Sequence, residues 1–118
     1  NPGETPGAIN KIASGGELSR FLLAMKVCLS MRANSVTIIF DEIDRGIGGA
    51  TADAVGKRLL QLSESTQVLA VTHSPQVAGY STSQWLVQKS IDRKDKTVTT
   101  ITKLSRENRV EEIAMLSF

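Results

Sequence analysis

Two adjacent carboxylates, Asp41 and Glu42, directly follow a short apolar run, residues 36–40, that is rich in β-branched side chains. Such a run predicts a buried strand that presents both acids at its carboxyl end. There Asp41 could hold Mg²⁺, directly or through water, because this ion prefers oxygen ligands and keeps several waters. Glu42 could orient and deprotonate an attacking water. A strand that ends in a solvated acidic loop explains both residues equally well.

The single histidine, His73, follows a second apolar run, residues 67–71. An imidazole at the end of a buried strand could hydrogen-bond a phosphate oxygen, although a histidine satisfied within the fold is the commoner case. One histidine and one distant cysteine, Cys28, argue against a structural zinc site. A Ser-His-Asp hydrolase could be assembled from Ser14, His73 and Asp41, but no nucleophile-elbow sequence surrounds the serine.

A third group, Ser14-Gly15-Gly16-Glu17, opens a predicted helix. Ser14 and Glu17 have the spacing of a capping box, which alone would account for them. Capping does not explain two glycines, which weaken a helix start unless something must approach the backbone closely. Bare N–H groups at a helix N-terminus form a site for phosphate, so both interpretations stay open.

The loop after the paired carboxylates contains Asp44-Arg45-Gly46-Ile47-Gly48-Gly49. Its three closely spaced glycines are typical of a loop that lies against another surface, although a flexible connection explains them as well. The stretch does not follow the dinucleotide-binding pattern G-x-G-x-x-G.

The elements that must position these residues follow from hydrophobic periodicity and turn residues. We expect an α/β fold with mainly parallel core strands flanked by helices, plus a C-terminal hairpin, and ligands at the carboxyl ends of the strands. The predicted order is a helix from Ser14, strand 36–40, a helix with Ala52, Val55, Leu59 and Leu62 inside, strand 67–71, a short helix from Ser74-Pro75 to Gly79, strands 85–89 and 98–103, and a helix around Val110, Ile113 and Ala114. In the first helix one apolar face is predicted from Leu18, Phe21, Leu22, Met25, Cys28 and Leu29, which makes Cys28 a buried thiol.

Composition narrows the class of protein. The chain has 118 residues, 41% of them hydrophobic and 22% charged, which suits one soluble domain over 1–118. A net charge of +2 is too balanced to argue for nucleic acid or an acidic membrane surface. No apolar run approaches the roughly 20 residues of a membrane span. One cysteine fits a reducing cytoplasm, so we expect a cytoplasmic chain with no membrane partner.

In their order and spacing, these four groups resemble the second half of an ABC-type ATPase head. Ser14-Gly15-Gly16-Glu17 matches the signature motif, Asp41-Glu42 the Walker B motif, the loop from Asp44 the D-loop, and His73 the switch histidine. The sequences of residues 13–20, 40–44, 46–52 and 71–78 resemble those of the RecN family, which are SMC-like proteins of bacterial double-strand-break repair. The resemblance is strong over residues 11–80 and weaker beyond. Arg45 departs from it, since the family is expected to have a small residue there.

The resemblance implies a mechanism in which ATP and Mg²⁺ are sandwiched between two heads. Asp41 would hold the metal, and Glu42 and His73 would serve the nucleotide of their own head. Ser14, Gly15, Gly16 and Glu17 would close on the partner's nucleotide in trans. Asp44 would line the seam between heads, and DNA would be engaged by the full-length protein.

The sequence lacks the phosphate-binding pattern G-x-x-x-x-G-K-[S/T]. In the family that P-loop lies in an N-terminal segment, separated by a coiled coil. We therefore expect a C-terminal head lobe that hydrolyses no ATP alone and exposes the apolar surface its other half would cover. Two alternatives stay open: a head lobe of another SMC- or RecF-like ATPase, and a non-catalytic docking or DNA-binding module. The latter would use basic residues of the hairpin, namely Lys89, Arg93, Lys94, Lys96 and Lys103.

Overall fold

The computed structural model describes residues 15–32 and 35–116, which form four helices and four strands. In chain order they are α1 (Gly15–Ser30), β1 (Thr37–Asp41), α2 (Gly49–Leu62), β2 (Gln67–Val71), α3 (Pro75–Gly79), β3 (Trp85–Ile91), β4 (Thr97–Lys103) and α4 (Arg106–Leu116). The predicted order and types of these elements are confirmed, as is the α/β class. The predicted cap Ser14 lies outside the described residues.

The sheet that positions the chemistry consists of β1 and β2, which pair in parallel. Thr37 lies opposite Gln67, and Asp41 lies opposite Val71. Both strands therefore end at the same edge. One further backbone bond, from the Glu42 N–H to the Val71 carbonyl at 2.8 Å, joins the two strands just beyond the pairing. The loops after the two strands consequently begin side by side.

One face of this sheet packs under α1 and α2. Phe40 is buried there, and Ile38 and Val68 are half-buried against the same cluster. The cluster confirms the inner face predicted for α2. Its buried members are Leu18, Leu22, Phe40, Ala52, Val55, Leu59, Leu62 and Val77.

The opposite face of the sheet is exposed, so the prediction that both strands are buried is wrong for this face. Ile39, Leu69 and Val71 are 66%, 48% and 51% exposed. Apolar runs predict burial on both faces, but in the described part of the chain the helices cover only one. The expectation of an uncovered apolar surface is met here.

The prediction that Cys28 is a buried core thiol is also wrong, because its side chain is exposed. Helix α1 contacts α2. Leu18 and Leu22 face the core, while Val27 beside Cys28 is 56% exposed and Phe21 is 39% exposed. Periodicity predicts a wider apolar stripe than one neighbouring helix covers.

Helices α2 and α3 approach closely at Gly56. A Cβ atom built on Gly56 would lie 2.6 Å from Tyr80 Cδ2 and 3.1 Å from Val77 Cα. Because the Val77 backbone cannot turn aside, we expect Gly56→Ala to lower the free energy of unfolding by about 1–3 kcal/mol in urea denaturation. At Gly79 an added Cβ meets no described atom within 4 Å, so Gly79→Ala is the matched control. Equal stability of both variants would contradict this contact.

Tyr80 also ties α3 to α2, since its hydroxyl donates to Asp53 Oδ1 at 2.8 Å. This hydrogen bond, with smaller effects of burial and of the Asp53 charge, raises the pKa of Tyr80 above its ordinary 10.0. The folded chain then holds the proton more tightly than the unfolded chain. The resulting stabilisation is complete below pH 10 and is lost as pH rises through the raised pKa.

The chain contains one tyrosine, so absorbance of the tyrosinate reports on Tyr80 alone. We expect its titration midpoint to fall towards the ordinary value in Asp53→Ala. An unchanged midpoint in that variant would show that Asp53 is not the cause.

The end of α3 is held by α4. The Arg109 guanidinium donates to the carbonyl oxygens of Ala78 at 3.3 Å, Gly79 at 3.2 Å, and Ser81. These carbonyls lie at the helix C-terminus, where backbone acceptors lack helical partners.

Across residues 15–32 and 35–116, no helix is both long and apolar enough to cross a membrane.

Candidate active site

Two predicted residues, Glu42 and His73, come together at the carboxyl edge of the sheet. Glu42 is the first residue after β1, and His73 lies two residues after β2. His73 Nδ1 is 2.8 Å from Glu42 Oε1, and the Glu42 side chain is 31% exposed. The parallel register that ends both strands at one edge is what joins residues 31 positions apart in sequence. The structure therefore pairs the proposed base with the proposed switch histidine.

The backbone of Glu42 lies in the left-handed region, with φ 49°. For a residue other than glycine, this backbone conformation costs about 1–2 kcal/mol of free energy. Two backbone bonds hold it there: its N–H donates to Val71, and its carbonyl accepts from the Arg45 N–H at 3.1 Å. Strained residues cluster at functional sites, where a particular side-chain direction is needed. The sequence did not reveal this conformation of Glu42.

Arg45, the residue that departs from the family pattern, lies beside the same carboxylate. Its Nη1 is 3.8 Å from Glu42 Oε2, and its side chain is 82% exposed. Gly46 follows with φ 79°, a conformation that glycine adopts without strain. At this exposure the ion pair contributes little to stability. Its effect is to add a positive charge next to Glu42.

Asp44 is turned inward and is only 8% exposed. The Thr72 hydroxyl donates to Asp44 Oδ2, and the Ser74 N–H donates to Thr72 Oγ1 at 2.9 Å. The resemblance implies a place for Asp44 along the seam between heads, whereas in this chain its carboxylate is bound internally. Sequence reasoning noted Thr72 only as part of the polar end of the second strand and gave it no role. The available signal was its position between the end of a strand and the candidate histidine.

An open cleft of about 350 Å³ lies at this edge, lined by Glu42, Asp44, Arg45, Gly46, His73 and Ser74. Asp41, the last residue of β1, is exposed at the same edge but does not line the cleft. The arrangement offers a carboxylate oriented by an imidazole and a neighbouring carboxylate open to a cation. The first can accept a proton from water, and the second can bind Mg²⁺.

The described residues of the glycine-rich helix start do not line this cleft. Gly15, Gly16 and Glu17 form the first turn of α1, and Ser14 is outside the described residues. Gly16 and Glu17 are exposed, and they are not among the residues that line the cleft. The structure therefore brings Glu42 and His73 together in a cleft that the described residues of the helix start do not line.

Comparison with known proteins gives close sequence relatives. The chain is 51% identical over 116 residues to DNA repair protein RecN of Rickettsia bellii and 50% identical to that of Vibrio cholerae; in both cases the match covers 98% of this chain and 21% of the relative. In these relatives the match lies in the C-terminal part. RecN of Deinococcus radiodurans is 42% identical over the same share of the chain. The chain thus spans about a fifth of the length of these RecN relatives. No family model matches the chain.

A solved structure from work on SMC ATPases, described for their ATP-driven dimerisation and DNA-stimulated activation, has the same fold. It matches this RecN-like chain with a TM-score of 0.61 and 16% identity, over 98% of this chain and 68% of that chain. At this identity the likeness concerns the fold alone. The α/β architecture with parallel strands is shared with that structure.

Proposed function

We propose that residues 1–118 form the C-terminal lobe of a RecN-like ATPase head that acts in DNA double-strand-break repair and recombination. The observation that carries the proposal is the 2.8 Å contact between Glu42 and His73 at the carboxyl edge of the β1–β2 sheet. Close sequence relatives named DNA repair protein RecN and the SMC-type fold support it. The proposed reaction is ATP hydrolysis.

Glu42 is the general base of this proposal. Its carboxylate accepts the proton of the attacking water, and the contact with His73 Nδ1 fixes its direction. An imidazole has two nitrogens, and the His73 side chain is 81% exposed. Because Nδ1 faces the Glu42 carboxylate, Nε2 would donate to a phosphate oxygen when both ring nitrogens carry a proton.

Asp41 is the residue that would hold Mg²⁺. It is exposed and directly precedes Glu42, and its oxygen ligands suit this ion, which binds through one or two carboxylates plus water and phosphate oxygens. Bound there with ATP, the ion supplies charge neutralisation at the phosphates. Ser14, Gly15, Gly16 and Glu17 would bind the nucleotide of a second head, and Asp44 would support the loop at the seam.

The lysine-bearing phosphate cradle must come from a second segment, the P-loop-bearing half of the head. The uncovered sheet face of Ile39, Leu69 and Val71 supports this, because an exposed apolar surface of that kind is typical of an interface. The complete protein would work in the cytoplasm at the nucleoid, with DNA as its partner.

Mixing tests the proposal. We expect no ATP turnover from this chain alone, and turnover after it is combined with the P-loop-bearing half of a RecN relative, a complex called here the reconstituted head. Phosphate release is measured for each component and for the mixture. A well-formed complex without turnover would contradict the ATPase assignment and favour a docking module.

The DNA-binding alternative relies on the basic hairpin and receives less support. Arg93, Lys94 and Lys96 lie in the turn, where the Asp92 carboxylate accepts from the Lys94 and Lys96 N–H groups at 2.9 Å each. Lys103 lies at the other end of β4, 6.0 Å from the Trp85 ring. A strand of this length spans about 20 Å, so Lys103 lies about that far from the basic turn.

A further inference from the structure

We propose that Thr72 is a positioning residue: through Asp44 it fixes the geometry of the Glu42–His73 pair. The inference rests on the proposed function, since it assigns a residue to that same reaction. Thr72 touches neither the water nor the nucleotide in this account. It acts on two residues that do.

The first support is that the Thr72 hydroxyl makes two hydrogen bonds, one as donor and one as acceptor. It donates to Asp44 Oδ2 and accepts from the Ser74 N–H at 2.9 Å. Asp44 is the one charged residue that is buried in the described ranges. A carboxylate removed from water needs donors, so its position depends on the hydroxyl that meets it. The bond therefore sets where both partners lie.

The second support is the place of this bond in the chain. Asp44 follows Glu42 by two residues, and Thr72 directly precedes His73. The bond thus joins the loop after β1 to the segment after β2 immediately beside the 2.8 Å contact. The same two segments are also joined one residue before Thr72, where the Glu42 N–H donates to the Val71 carbonyl. Glu42 takes part in one of these links, and His73 directly follows Thr72 of the other.

The third support is the lack of packing around His73. Its side chain is 81% exposed, so neighbouring side chains do little to hold its direction. The backbone on both sides is tied instead. Thr72 is bound to Asp44, and Ser74 is bound to Thr72 and caps α3 by accepting from the Val77 N–H at 3.3 Å. The direction of the imidazole follows from this backbone path.

The test compares Thr72→Val with Thr72→Ser in the reconstituted head. Valine keeps the shape and removes the hydroxyl, whereas serine keeps the hydroxyl. We expect kcat to fall about 10- to 100-fold in Thr72→Val, with KM for ATP changed less than about twofold, because misplacement by one ångström costs rate rather than binding. Thr72→Ser should keep kcat within about threefold of the unchanged head, because the positioning bond remains. Where the valine variant does not fold, Thr72→Cys replaces it, and its kcat should lie below that of the serine variant.

An unchanged kcat in Thr72→Val, or equal losses in the valine and serine variants, would overturn the inference. Glu42→Gln is measured beside them to separate the two proposals. Loss of turnover in Glu42→Gln with normal turnover in Thr72→Val removes only the role of Thr72. Normal turnover in Glu42→Gln removes the proposed function, and the role of Thr72 with it.

Discussion

Glu42→Gln should reduce ATP turnover of the reconstituted head by at least about 100-fold, because an amide cannot accept the proton of the attacking water. Glutamine has the same shape and the same backbone strain at φ 49°, so the comparison isolates the charge and basicity of the carboxylate. Nucleotide affinity should change little. The measurement is steady-state phosphate release together with binding of labelled ATP.

The matched control is Glu64→Gln, the same chemical change at a remote ion pair. Glu64 Oε2 lies 3.0 Å from Lys26 Nζ, and its side chain is 66% exposed. A pair this exposed contributes about 0–1 kcal/mol, so turnover should be normal. If Glu42→Gln retained the turnover of Glu64→Gln, Glu42 would not be the base.

His73→Ala should lower kcat by roughly 100-fold, because it removes both the group that orients Glu42 and the nitrogen available to phosphate. The imidazole is 81% exposed, so its loss should leave the free energy of unfolding within about 0.5 kcal/mol. Turnover and denaturant unfolding are measured on the same preparation. Normal turnover would remove His73 from the site, and a large loss of stability would show that it is structural instead.

Much of the fold could be predicted from the sequence because local signals agreed with the final structure. The apolar runs before Asp41 and Thr72 formed the paired strands β1 and β2. Ser74-Pro75 began α3, with the Ser74 hydroxyl accepting from Val77 as a helix cap. The meeting of Glu42 and His73 followed from parallel pairing, since both residues were expected at one sheet edge.

The sequence did not predict the burial of every side chain, the long-range hydrogen bonds or the unusual backbone angles, because each of these depends on residues that are distant in sequence. Cys28, Ile39 and Leu69 lie in apolar patterns, but their burial depends on which surface covers them, and periodicity does not report that. The Asp44–Thr72 bond joins residues far apart in sequence and carries no local pattern. The left-handed backbone of Glu42 is imposed by the bonds to Val71 and Arg45, against the preference of glutamate itself.

The central claim is that one copy of this chain serves two nucleotides: its own through Glu42 and a partner's through the helix start at Ser14. The most direct test mixes reconstituted heads carrying Glu42→Gln with heads carrying Ser14→Arg, each inactive alone. In a symmetric dimer, mixed pairs contain one composite site with an intact base and an intact helix start, so turnover should recover to about a quarter of the unchanged level. Recovery of that size supports the account, and a mixture as inactive as its components contradicts it.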